Sequence, residues 1–109
     1  MAGGFDLAAF CDIRIAGPGA AFGHPEIKFG SGVMFGPLAA IAGGATAADL
    51  TLTGRTIDAN EAHRLGIVSR VVATETLLDE ARAIARSIAE APLPALVRMK
   101  EAIIARRGN

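Results

Sequence analysis

Gly3-Gly4-Phe5-Asp6-Leu7-Ala8-Ala9-Phe10-Cys11-Asp12-Ile13-Arg14-Ile15-Ala16 and, after a turn, Ala21-Phe22-Gly23-His24-Pro25-Glu26-Ile27-Lys28-Phe29-Gly30 form the stretch that decides how this chain is read. Two glycines lead into an almost wholly apolar run, which predicts a short helix over residues 4–11. Asp12 to Ala16 alternates polar and apolar, the period-2 pattern of a half-buried strand. Gly17-Pro18-Gly19 turns the chain, and residues 20–23 read as the return strand. Pro25 then biases His24 toward extended geometry.

Two carboxyls in this stretch stand among apolar neighbours. Asp6 lies between Phe5 and Leu7 in the first turn of its helix, and Glu26 lies between Pro25 and Ile27. An acid in such company is costly unless partnered, and acid–base catalysts are drawn from such places. Plainer roles stay open. Asp6 can complement the dipole of its helix, and Glu26 can pair with Lys28 or an arginine. Gly3 and Gly4 add a second chemical element, because N–H groups at a helix start have no intrahelical partner. Without a β-carbon in the way, a carbonyl oxygen can approach them, which makes this helix start a natural oxyanion site.

Working outward, Gly30 to Pro37 reads as a loop, with Pro37 in the first turn of a helix through about Ala42. Gly30, Gly32 and Gly36 miss the dinucleotide fingerprint by one residue, and no Gly-Lys-Ser/Thr follows, so the loop is no phosphate cradle. Thr46 is placed to cap a helix over residues 47–52 that stops at Gly54. Asp58-Ala59-Asn60-Glu61 has capping-box spacing, and Gly66 sits where a left-handed residue would end that helix. Residues 67–72 form a β-branched strand. Residues 76–90 form the clearest helix, with Leu77, Ala81, Ile84 and Ile88 on one stripe and Asp79 and Glu80 in its first turn. After Pro92 and Pro94, a last helix over 95–107 is expected to bury Leu96, Met99 and Ile103.

Composition bounds the rest. The 109 residues suffice for one compact domain, and with 51% hydrophobic and 20% charged residues the chain is not disordered. Eleven basic side chains balance eleven acidic ones, which argues against nucleic-acid binding. No apolar run is long enough to span a membrane, and Met1 to Asp6 resembles neither a signal nor a transit peptide. The single cysteine, Cys11, allows no internal disulfide and fits a reducing compartment; it reads as a small packed hydrophobe, and a cytoplasmic location is expected. His24 and His63 share no element with ligand-spaced Cys or carboxylates, so no metal site is expected, and His63 reads as a solvated face.

Taken together, the two opening segments resemble the crotonase (enoyl-CoA hydratase/isomerase) superfamily. So does Leu52-Thr53-Gly54-Arg55-Thr56-Ile57-Asp58-Ala59, continued by Glu61-Ala62 and Leu65-Gly66-Ile67-Val68. The resemblance covers essentially the whole chain, and three motifs in the right order make it specific to the superfamily. The resemblance implies an α/β fold, a crotonase-like spiral of ββα turns. That spiral would be incomplete here, with residues 1–72 as the C-terminal half of its core and 73–109 as a C-terminal helical region. It also implies acyl-CoA thioester substrates, with coenzyme A part of the substrate and no separate cofactor, and homo-oligomers, trimers or hexamers. Gly3 matches one of the two backbone donors that hold the thioester oxygen. Asp6 and Glu26 match the two acidic positions. In hydratases these orient and deprotonate the water that adds at C3 and deliver a proton to C2, with Glu26 as the main acid/base and Asp6 holding the water.

The departures from the family pattern carry information. Asp6 replaces the usual Glu, which sets its carboxylate back by about 1.5 Å, a displacement of the order that can cost ~10²-fold in rate. Dienoyl-CoA isomerases of the family carry Asp there, which opens an isomerase alternative. They also use an Asp where this chain has Met34, which argues against the dienoyl reaction. Val33 to Ile41 replaces the usual glycine-rich segment, so the acyl pocket is expected to differ. Family members are more than twice as long, and their second oxyanion donor lies in the N-terminal half. The isolated chain is therefore expected to be weakly active or inactive, since one lost oxyanion donor costs about 3 kcal/mol. It is also expected to expose apolar surface. A non-catalytic subunit-association role is the remaining alternative. Lys100, Arg106 and Arg107 are candidate contacts for CoA phosphates, weighed against plain solvation.

Overall fold

The computed structural model describes residues 3–9 and 11–107, giving the backbone alone for Gly3, Asp6 and Arg107. The Asp6 carboxylate and the Arg107 side chain lie outside what is described. Helix α1 (Gly3–Ala9) forms where the glycine-led apolar run predicts it. Phe5 and Ala9, four residues apart on one face, are buried, while Leu7 on the other face is 71% exposed.

The strands are only two residues long, and their partners differ from the expected hairpin. β1 (Ile15–Ala16) runs parallel to β4 (Arg70–Val71), Ile15 opposite Arg70 and Ala16 opposite Val71. β2 (Ala21–Phe22) is antiparallel to β3 (Ile57–Asp58), Phe22 opposite Ile57. The turn at Gly17-Pro18-Gly19 thus carries the chain from one sheet to the other. Polar side chains hold the parallel pair. Arg14 Nε donates to the Ile67 carbonyl at 2.6 Å, and both the amide and the hydroxyl of Ser69 donate to the Arg14 carbonyl, at 2.8 and 3.2 Å. Ile67 and Val68, expected within the strand, are buried just ahead of it.

Helix α2 (Gly36–Ala42) has Pro37 in its first turn as expected. Helix α3 (Gly44–Thr53) starts three residues before the expected helix, and Thr46 lies inside it rather than capping it. Gly43 is the reason. Its N–H ends α2 on the Ala39 carbonyl at 2.9 Å and its own carbonyl accepts the Ala47 N–H at 3.0 Å, so the two helices abut across one glycine at φ 86°. Helix α4 (Ala59–Arg64) is capped as its sequence predicts: the Asp58 side chain accepts the Glu61 N–H at 2.8 Å. Gly54 and Gly66 take left-handed φ values of 65° and 80° after α3 and α4.

The core joins Phe5, Ala16, Leu38, Ala47, Leu50, Ile57, Ala59, Ala62, Ile67 and Val68. Helices α5 (Leu77–Ala89) and α6 (Leu93–Arg107) lie at its edge. The α5 stripe is not a core face. Leu77 and Ile84 are half-buried, while Ala81 and Ile88 are exposed. On α6, Leu96 and Ile103 are half-buried, but Met99 is 62% exposed, contrary to expectation. Cys11 is exposed rather than packed, because it follows the end of α1 in a bend, where its Sγ reaches the Leu7 carbonyl. Two ion pairs tie the last helices down, Arg70–Glu80 to α5 and Asp12–Lys100 to α6, each at 2.6 Å. Among the described residues, no helix is long and apolar enough to cross a membrane.

Candidate active site

The two motifs carrying the acidic residues meet through aromatic rings. The Phe5 ring stacks on the His24 imidazole, with centroids 4.8 Å apart and planes 20° from parallel, and meets the Phe22 ring edge-on at 5.5 Å. His24 is 1% exposed. This cluster seats α1 against the segment that leads into Glu26. Asp6 follows Phe5 directly, and Glu26 follows His24 by two residues.

Glu26 lies in a 3-10 helix, Pro25–Phe29, with Pro25 at its start and Gly30 closing it at φ 85°. The turn is held by the Gly30 N–H on the Ile27 carbonyl at 3.2 Å and the Ser31 N–H on the Glu26 carbonyl at 3.1 Å. Glu26 is half-buried, and its Oε1 is buried without a hydrogen-bond partner among the described residues. The plainer expectation, an ion pair with Lys28 or an arginine, is not realised among the described residues. A buried acceptor without a donor carries a desolvation cost that a hydrogen-bond donor placed against it would relieve. Phe29, at the end of this helix, and Met34 and Phe35, in the loop that follows, are exposed.

Behind Glu26 stands the Leu-Thr-Gly-Arg segment. A β-carbon on Gly54 would lie 2.8 Å from Ile27 Cγ2 and 3.2 Å from the His24 carbonyl oxygen. A β-carbon on Gly23 would lie 3.0 Å from the Arg55 carbonyl oxygen and 3.2 Å from Thr56 Cα. The two motifs therefore touch backbone to backbone at two glycines. Arg55 itself points elsewhere. Its guanidinium takes Asp49 Oδ2 at 2.8 Å and Glu61 Oε1 at 3.0 Å, joining α3 to α4, and these hydrogen bonds, that to Asp49 foremost, raise its pKa further.

Sequence reasoning singled out Gly3, Asp6 and Glu26 but missed the Phe5–His24 stack and the two glycine contacts. The available signal was a glycine in each motif, Gly23 beside His24 and Gly54 beside Arg55. Gly3 stands in the first turn of α1. Lys100, a candidate for CoA phosphates, is paired with Asp12, and Arg106 is exposed. Among the described residues, no group of three or more His, Cys, Asp or Glu could hold a metal ion; His63 is exposed.

Comparison with known proteins adds a second line of evidence. The model of the family described as enoyl-CoA hydratase/isomerase matches residues 1–107. A Mycobacterium leprae protein named "probable enoyl-CoA hydratase" is 48% identical over 106 residues, which is 94% of this chain and 41% of that protein. The solved structure of a probable enoyl-CoA hydratase/isomerase from Mycobacterium abscessus superposes with a TM-score of 0.89 at 38% identity, covering 98% of this chain and 43% of that one. That of enoyl-CoA hydratase from Mycobacterium tuberculosis H37Rv gives 0.80 at 32% identity, covering 95% and 52%. The chain thus spans about two fifths of the length of the curated relatives it first matches.

Proposed function

Since the chain belongs to the enoyl-CoA hydratase/isomerase family, we propose that it carries the acid–base half of a site that adds water across the 2,3 double bond of an enoyl-CoA thioester. Glu26 takes a proton from water as the water oxygen bonds to C3. The π electrons move onto the thioester carbonyl as an enolate, and the proton taken up is then delivered to C2. The product is a 3-hydroxyacyl-CoA, with water wholly consumed. The N–H of Gly3 at the start of α1 donates to the enolate oxygen and so stabilises the developing negative charge, and Asp6 holds the water.

The observation that carries this reading is Glu26 Oε1, buried without a hydrogen-bond partner among the described residues. Coenzyme A enters as part of the substrate, and the working assembly is a homo-oligomer, trimer or hexamer, in the cytoplasm. A second oxyanion donor completes the hole from a segment that relatives carry beyond the matched region.

Crotonyl-CoA hydration tests the proposal, measured in this chain and in a chimera that joins it to the N-terminal segment of a relative. Glu26→Gln is expected to lower turnover by about 10²–10⁴-fold, the usual worth of a positioned acid–base group. Unchanged turnover in the active chimera removes Glu26 from the chemistry.

A further inference from the structure

We infer that Gly54 is a positioning residue for Glu26, a backstop whose missing side chain sets how deeply the Glu26 turn is seated. The inference rests on Glu26 being the acid–base group. Four described glycines hold a positive φ: Gly30, Gly43, Gly54 and Gly66. At three of them an added β-carbon would meet nothing within 4 Å. At Gly54 it would meet Ile27 Cγ2 at 2.8 Å and the His24 carbonyl at 3.2 Å, the residues that bracket Pro25 and Glu26. Gly54 is thus glycine for two independent reasons, its left-handed backbone and a close approach aimed at the Glu26 turn.

The contact has a second point. Gly23 lies against Arg55 and Thr56, so the two motifs register on either side of Glu26 rather than brushing once. Carbon atoms in good contact stand about 3.5–4.0 Å apart. A methyl group at position 54 therefore has to push the turn outward by roughly 1 Å, a misplacement that costs on the order of 10²-fold in a reaction that depends on it. The displaced group is a turn whose carbonyls accept the Gly30 and Ser31 N–H groups. Loosening of the turn is therefore visible at those two amides.

Gly66→Ala supplies the control, because φ is 80° there and the new methyl meets open space. Amide exchange by NMR in the 109-residue chain is the first readout. In Gly54→Ala, the Gly30 and Ser31 amides are expected to exchange about tenfold or more faster than in Gly66→Ala, relative to a core amide such as Leu50. Ile27→Ala, which deletes the clashing methyl, is expected to restore most of that protection when combined with Gly54→Ala. Equal exchange at these amides in Gly54→Ala and Gly66→Ala, or no recovery in the double variant, overturns the inference whether or not the chain turns over. The second readout is crotonyl-CoA hydration in the active chimera, where kcat is expected to fall about 10²-fold in Gly54→Ala with KM held, and little in Gly66→Ala. Glu26→Gln, run alongside, separates the two claims. If it leaves turnover intact the reading of Glu26 fails, whereas if it abolishes turnover while Gly54→Ala matches Gly66→Ala, only the backstop fails.

Discussion

His24 lies flat against Phe5, with ring centroids 4.8 Å apart, and so couples the helix that begins at Gly3 to the turn that carries Glu26. A buried imidazole in this position does the work of an aromatic plug. Truncating it opens a void, and His24→Ala is expected to cost about 2–4 kcal/mol by urea denaturation, in line with other large-to-small core changes. His24→Phe, which keeps a flat ring against Phe5, is expected to recover most of that loss. A double-mutant cycle with Phe5→Leu should return a coupling of about 0.5–1.5 kcal/mol, the range for ring pairs.

Helix α3 offers an internal comparison of burial. Leu50 is 1% exposed and Leu52, two residues on, is 77% exposed. Leu50→Ala is expected to destabilise by roughly 2–5 kcal/mol, since it removes a core side chain in contact with its neighbours. Leu52→Ala is expected to stay within about 0.5 kcal/mol. Similar losses at both positions would mean that the α3 surface is covered in solution.

The Asp58 cap isolates a local interaction. Asp58→Ala leaves the Glu61 N–H without its 2.8 Å acceptor and is expected to cost about 1 kcal/mol, while Asp58→Asn, also a good cap, costs a fraction of that. Urea midpoints of the two variants give the measurement.

Arg55 gives a pH and salt prediction with a definite sign. Its hydrogen bonds to Asp49 and Glu61 raise an already high pKa, so its contribution is fully present below the unfolded value and lost only as pH climbs through the folded one. No change in stability traceable to Arg55 is therefore expected across neutral pH. Because the pair is open to solvent, Arg55→Gln is expected to lower the thermal midpoint slightly at low salt. The difference should vanish near ~1 M salt, where the screening length falls to about 3 Å.

Features written in adjacent residues were legible from sequence. The Asp58 cap, the left-handed Gly54 and Gly66, and Pro37 in the first turn of α2 each depend on a few neighbours, and each is present. The crotonase-like α/β class was legible from three motifs in order, and the solved hydratase structures bear it out. Strand pairing was not legible. Residues 20–23 follow β1 across a tight turn, yet β1 pairs with residues 70–71 because Arg14 and Ser69 supply hydrogen bonds that no local pattern announces. Thr46 has the chemistry of a cap but was pre-empted by Gly43, which ends one helix and begins the next. The amphipathic stripe of α5 predicted a helix correctly but not how far its face is covered, because periodicity reports that a face is apolar without saying what covers it. At the site, Gly3 and Glu26 were singled out through their chemistry, and their roles belong to the proposal. The contacts of Gly23 and Gly54 were not, since a glycine in a motif permits a close approach without naming the distant backbone that makes it.

Every fully buried side chain among the described residues comes before Ser69, while α5 and α6 begin at Leu77 and Leu93. During synthesis, the packing instructions for the interior have therefore all emerged before either of the last two helices leaves the ribosome. Those helices are held by a pair of charge clasps and half-hidden leucines and isoleucines rather than by a share in the interior. Such a tail can be repositioned, or lent to another surface, without rewriting the part of the molecule that holds Glu26.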